Sequence, residues 1–110
     1  MVNDVAIMAH TLNGLSPQGL KNTLPRYVRM DVPIVEGILI KGYVLTLQSF
    51  GAYNICIDTH TQTIHGNVPS TGATKDLALT ESAIQGIISW IKDMRKARKV
   101  RFTNMVEVTA

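Results

Sequence analysis

The sequence predicts an α+β domain: a short antiparallel β-meander packed by one long C-terminal amphipathic helix, with two short helices before it and a final strand after it. Three observations carry this expectation. Residues 34–47 and 53–59 are dense in β-branched and aliphatic residues with local alternation, the signature of half-buried strands. Ala83, Ile84, Ile87, Ile88, Ile91 and Met94 recur at helical spacing, which draws an apolar stripe along one side of a helix. The 110 residues hold 45% apolar and 17% charged side chains, a globular composition without the low hydrophobicity of disordered chains. No linker-like stretch or repeat divides them, so residues 1–110 read as one domain.

The first helix follows from Asn3 or Asp4 as cap, with Val5, Met8 and Leu12 at helical spacing and Asn13-Gly14 as a left-handed stop. Ser16-Pro17 then gives a second cap with proline in the first turn; Leu20 and Leu24 form its buried side, and Pro25 ends it. In the strand region Tyr43, Leu45 and Leu47 alternate with Val44, Thr46 and Gln48, whereas Ile38 and Ile40 fall on the opposite parity. A bulge at Lys41-Gly42 reconciles the two. Ser49-Phe50-Gly51 turns the chain into a strand from Tyr53 to Thr59, and a shorter one follows around Thr63–His65. Residues 66–76 hold the types that break regular structure and read as an exposed loop. Thr80 caps the long helix with Glu81 in its first turn, and Val100, Phe102, Val106 and Val108 at even spacing suggest the final strand.

Charge is the clearest compositional anomaly. Residues 1–91 hold five basic and six acidic side chains, residues 92–110 six basic and two acidic. The formal charge of +3 is therefore concentrated in Lys92, Arg95, Lys96, Arg98, Lys99 and Arg101. Cations there complement the helix C-terminus; they also form a footprint for an acidic partner or for nucleic-acid phosphates. Trp90 beside them is a core residue or an interface anchor. In the 66–76 loop Ser70, Thr71, Gly72 and Thr74 are small enough for backbone N–H groups to converge on an anion, although Lys75 is misplaced for a phosphate-binding loop.

Cys56, Asp58 and His60 alternate along one strand, but second neighbours lie about 7 Å apart, too far for direct nucleophile–base contact. His60 and His65 fall within the His-x3–5-His spacing of zinc sites, but a strand turn separates them and no cysteine pair accompanies them. No nucleophile, base and oxyanion site come together, so the expectation is a non-enzymatic protein without metal or cofactor. No apolar run reaches the roughly 18 residues of a membrane span, and no secretory signal pattern is present. With a single cysteine, these features predict a cytoplasmic protein.

The segment Tyr53-Asn-Ile-Cys-Ile-Asp-Thr-His-Thr-Gln-Thr-Ile64, with the helix opening at Leu79-Thr-Glu-Ser82 and carrying Ile87 and Trp90, resembles the Smi1/Knr4-like SUKH superfamily over about residues 52–91. The resemblance implies a protein-binding module, often an immunity protein that occludes a toxin. The leading expectation is accordingly an inhibitor or immunity-type binding protein, with a protein partner. The alternative is a nucleic-acid-associated protein whose Lys92, Arg95, Lys96 and Lys99 track phosphates. A final strand near the chain end would leave an open sheet edge, through which a homodimer is expected.

Overall fold

The computed structural model describes residues 3–47 and 54–109, with side chains described for 5–47 and 54–97. Three helices and five strands follow in the order α1 (Asn3–Gly14), α2 (Pro17–Tyr27), β1 (Val28–Glu36), β2 (Leu39–Leu47), β3 (Asn54–Asp58), β4 (Thr63–Val68), β5 (Ala73–Ala78) and α3 (Glu81–Thr109). The sheet is an antiparallel meander with spatial order β1-β2-β3-β4-β5, so the α+β class holds.

Local chemistry sets the helix ends. The Ser16 hydroxyl accepts from the Gly19 N–H at 3.0 Å with Pro17 in the first turn, and the Thr80 hydroxyl accepts from the Ala83 N–H at 3.1 Å. Pro25 does not end α2, which continues to Tyr27. Gly14 is not left-handed either, since the positive-φ glycines are Gly37 and Gly72. Instead Asn13 fastens the end of α1: its amide donates to the Ala78 carbonyl and its oxygen accepts from the Thr80 N–H.

The helices cover one side of the sheet. Ala83, Ile84, Ile87 and Ile91 of α3 are buried with Val5, Leu12, Leu20 and Leu24 of α1 and α2 and with Tyr43, Leu45, Ile55, Ile57 and Ile64 of the strands. Ile88 and Met94 flank this core half-buried. Complete burial of each large aliphatic side chain contributes about 1.5–3 kcal/mol, so this stripe is the principal source of cohesion. The expected bulge is present, because the β1–β2 register slips between Ile34↔Gly42 and Val35↔Ile40 and leaves Lys41 unmatched.

Three further expectations need correction. Residues 66–76 are not a loop; they belong largely to β4 and β5, joined by a turn in which Gly72 takes φ 73°. The strand region begins at Val28, earlier than the apolar run suggests. No strand follows the long helix, because α3 continues to Thr109. No glycine or proline occurs after Gly86, so nothing interrupts a helix rich in strong helix formers from Lys92 onward. The sheet edges are therefore β1 and β5, and a homodimer through a final strand has no strand to use.

Candidate functional site

Pairing parity divides the sheet into two faces. Asp31, Pro33, Tyr43, Leu45, Ile55, Ile57 and Ile64 share the helix-covered face, and their cross-strand neighbours point away from it. Met30, Val32, Ile34, Leu39, Val44 and Thr46 therefore lie on the uncovered face of β1 and β2. Thr63, His65, Asn67, Thr74 and Asp76 continue that face on β4 and β5. One half of the open face is apolar and the other polar.

The apolar half extends into an arm. Among the described residues β3 pairs with β2 only at Val44–Thr46, and Thr59 adds two bonds to Tyr43, its hydroxyl accepting from the Tyr43 N–H at 2.8 Å and its N–H donating to the Tyr43 carbonyl at 3.0 Å. Beyond that point Ile34–Lys41 is a two-stranded hairpin that, among the described residues, pairs only with itself. Gly37 at φ 64° permits its two-residue turn, which fits the type II′ pattern. At the tip Ile38 is 99% exposed, while Val35, Leu39 and Ile40 are each more than half exposed. Met30 and Val32 continue the apolar surface toward the body of the domain at 54% and 47%. A lone two-stranded hairpin is marginal in water, and contiguous apolar surface of this extent marks interaction sites in soluble proteins.

The outer edge of β1 is closed by different chemistry. Both backbone groups of Tyr43 serve Thr59, so its partner Pro33 directs its backbone outward, where its missing N–H offers nothing to an added strand. Two residues away the Asp31 carbonyl accepts from Arg95 Nη2 at 3.2 Å. The same guanidinium holds the Asp31 carboxylate through Nε at 2.9 Å and Nη2 at 2.8 Å, and lies 5.1 Å from the Tyr43 ring centroid. Beside this clamp a recess of about 360 Å³ opens between Pro25, Val28, Met30, Trp90 and Met94.

The basic run is thus split by function. Arg95 is half-buried and locks α3 to β1, whereas Lys92 and Lys96 are exposed on α3. The side chains of Arg98, Lys99 and Arg101 lie outside the described residues. Trp90 is 8% exposed and belongs to the core, reaching only the recess. The sequence could not separate Arg95 from its neighbours because its partner Asp31 is 64 positions away.

The suggested anion cradle is committed to its own turn. The N–H groups of Thr71 and Gly72 donate to the Val68 carbonyl, and that of Ala73 to the Thr71 hydroxyl. Ser70 and Thr74 are exposed beside them, and α3 begins only after all of β5. Similarly, Asp58 accepts from the N–H groups of His60 and Thr61, which makes it a turn former. His60 lies in that turn, so Cys56, Asp58 and His60 are not aligned. The register instead places Cys56 opposite His65 and His65 opposite Asp76, with His65 Nδ1 hydrogen-bonded to Asp76 Oδ1. Asp76 was hidden from sequence reasoning inside the apparent loop.

Among the described residues no group of three or more metal-ligating side chains could hold a metal ion, and no helix is long and apolar enough to cross a membrane. No family model, curated protein or solved structure matches the chain.

Proposed function

We propose that this protein is a small non-enzymatic binding module that meets a protein partner through the β1–β2 arm and the apolar half of the open sheet face. The observation that carries the reading is the arm itself: six apolar residues, Met30, Val32, Val35, Ile38, Leu39 and Ile40, remain about half or more exposed on a well-buried domain. Exposed aliphatic surface on a preformed hairpin suits a partner with a complementary apolar groove. An inhibitor or immunity-type role by surface occlusion is one form of this reading, and the resemblance of residues 52–91 to the SUKH superfamily supports the same class. The contact surface moves from the expected basic helix end to the arm, because Arg95 is engaged internally.

The test uses the full chain as bait in extract of its native host, in parallel with an Ile38→Asp/Leu39→Lys variant. Proteins held by the parent and lost by the variant support the reading; identical recovery on both baits overturns it. The alternative, a nucleic-acid-associated protein, draws support from Lys92 and Lys96, exposed four positions apart on α3. It requires duplex affinity that falls steeply between 50 and 200 mM salt and weakens when both lysines become alanine.

A further inference from the structure

Resting on that reading, we infer that the partner of the arm is a second copy of this chain, and that two copies stack the apolar halves of their open sheet faces about a two-fold axis. Three observations select this occupant and this mode.

The first is area. Weighted by their exposed fractions, the six side chains offer roughly 600 Å² of apolar surface, close to the ~800 Å² per partner that a standard interface buries in total. Counted on two copies, Met30, Val32, Ile38 and Leu39 give roughly 800 Å², and coverage of Val35 and Ile40 on the reverse side of the arm brings the total to roughly 1,200 Å², the lower end of a standard interface.

The second is charge. Glu36 and Lys41, one of each sign, approach each other at 3.8 Å at the root of the arm turn. Asp31 is held by Arg95 on the other face. An isologous contact brings every residue of the patch against the same patch, so a net charge would repel itself across the axis. Glu36 and Lys41 sum to zero on the arm, Asp58 opposite Val44 at its border is engaged by the N–H groups of His60 and Thr61, and a two-fold can exchange the Glu36–Lys41 attraction between copies.

The third is exclusion of strand addition. Pro33 and the Arg95-capped Asp31 carbonyl close the outer edge of β1, so copies cannot extend the sheet there. Pairing at the other edge, β5, would lie at the far side of the sheet and leave Met30, Val32, Ile34, Leu39 and Val44 bare; another such face covers them at the ordinary sheet-to-sheet spacing of about 10 Å. Val35 and Ile40, on the reverse side of the arm, then reach past the stacked faces to the flank of the partner.

The experiment measures mass by sedimentation velocity from sub-micromolar to about 100 µM for the parent, Ile38→Asp and Val32→Lys. Each altered side chain is substantially exposed within one chain, so far-UV circular dichroism and the melting midpoint at low concentration serve to verify folding. The expected result is twice the 12.1 kDa chain mass for the parent, and at least about 100-fold weaker self-association for both folded variants, since each substitution enters a two-fold interface twice. A parent that stays monomeric throughout overturns the inference, as does a dimer that both substitutions leave unchanged. If the parent is monomeric yet loses a captured host protein on Ile38→Asp, the binding-module reading stands and only the second-copy inference fails. If a monomeric parent instead sediments with phosphatidylcholine/phosphatidylserine vesicles in an Ile38-dependent way, the inference is overturned in favour of a lipid surface.

Discussion

Replacing Arg95 by alanine tests how the long helix is held to the sheet. The side chain makes one charge-assisted hydrogen bond to the Asp31 carboxylate through Nε and an ion-pair contact to the same oxygen through Nη2, one further bond to the Asp31 backbone carbonyl, and a cation–π contact over Tyr43, with the Asp31 side chain 8% exposed. Bonds to charged groups contribute about 1.5–3 kcal/mol each, and a partly exposed cation–π contact about 0.5–1 kcal/mol. The Arg95 side chain is 35% exposed, so water replaces part of this on truncation. A loss of about 2–4 kcal/mol results, most of it because a carboxylate already removed from solvent loses its principal cation. For a chain of this length that corresponds to a fall in melting midpoint of about 10–20 °C. Thermal unfolding followed by circular dichroism at one fixed protein concentration measures it, because association would otherwise shift the midpoint. An Asp31→Ala/Arg95→Ala cycle should return a coupling energy of at least about 1.5 kcal/mol. A midpoint within about 2 °C of the parent for Arg95→Ala would refute the argument, since that is how a solvent-screened surface pair behaves.

Other substitutions separate competing effects. A methyl group on Gly66 collides with Val5 Cγ2 of α1, a β-branched side chain with no exposed surface, so Gly66→Ala should cost about 2–4 kcal/mol in chemical denaturation. At Gly86 the added methyl meets Leu20 Cδ1 at 2.5 Å, but the gain in helix propensity of about 1 kcal/mol offsets part of the overlap. Gly86→Ala should therefore be the milder of the two, and the reverse order would contradict the packing assigned to α1. Thr59→Val, which deprives the Tyr43 N–H of its acceptor while keeping shape, should lower stability by about 1–3 kcal/mol and speed amide exchange at Tyr43. Lys92→Ala/Lys96→Ala alters only exposed positions and should leave urea unfolding within about 0.5 kcal/mol of the parent.

Much of the fold was legible because its signals are local. The Ser16 and Thr80 caps, the Leu20 and Leu24 pair, the isoleucine stripe of α3 and the bulge at Lys41 each depend on residues a few positions apart. What stayed hidden depended on position in the sheet. Strand β1 carries Arg29, Asp31 and Pro33, which an edge strand accepts and a central strand would not. Strand β5, Ala-Thr-Lys-Asp-Leu-Ala, is polar because it too is an edge with one uncovered face. The even spacing of Val100, Phe102, Val106 and Val108 mimics a strand, but the helix begun at Thr80 meets no breaker. The candidate site was the least legible part. Ile38 and Leu39 resemble ordinary strand interior in sequence, and only their place on a hairpin beyond the β2–β3 pairing leaves them 99% and 58% exposed.

The closure of β1 also limits how many molecules can join. Runaway head-to-tail growth needs two different surfaces that fit each other, and a five-stranded meander would supply them if both its borders accepted strands. With Pro33 and Arg95 shutting one border, a molecule that docked along β5 would present no fresh template to the next arrival. Fibre elongation stops after a single step, and the chain keeps an exposed greasy hairpin without exposing its neighbours to endless stacking.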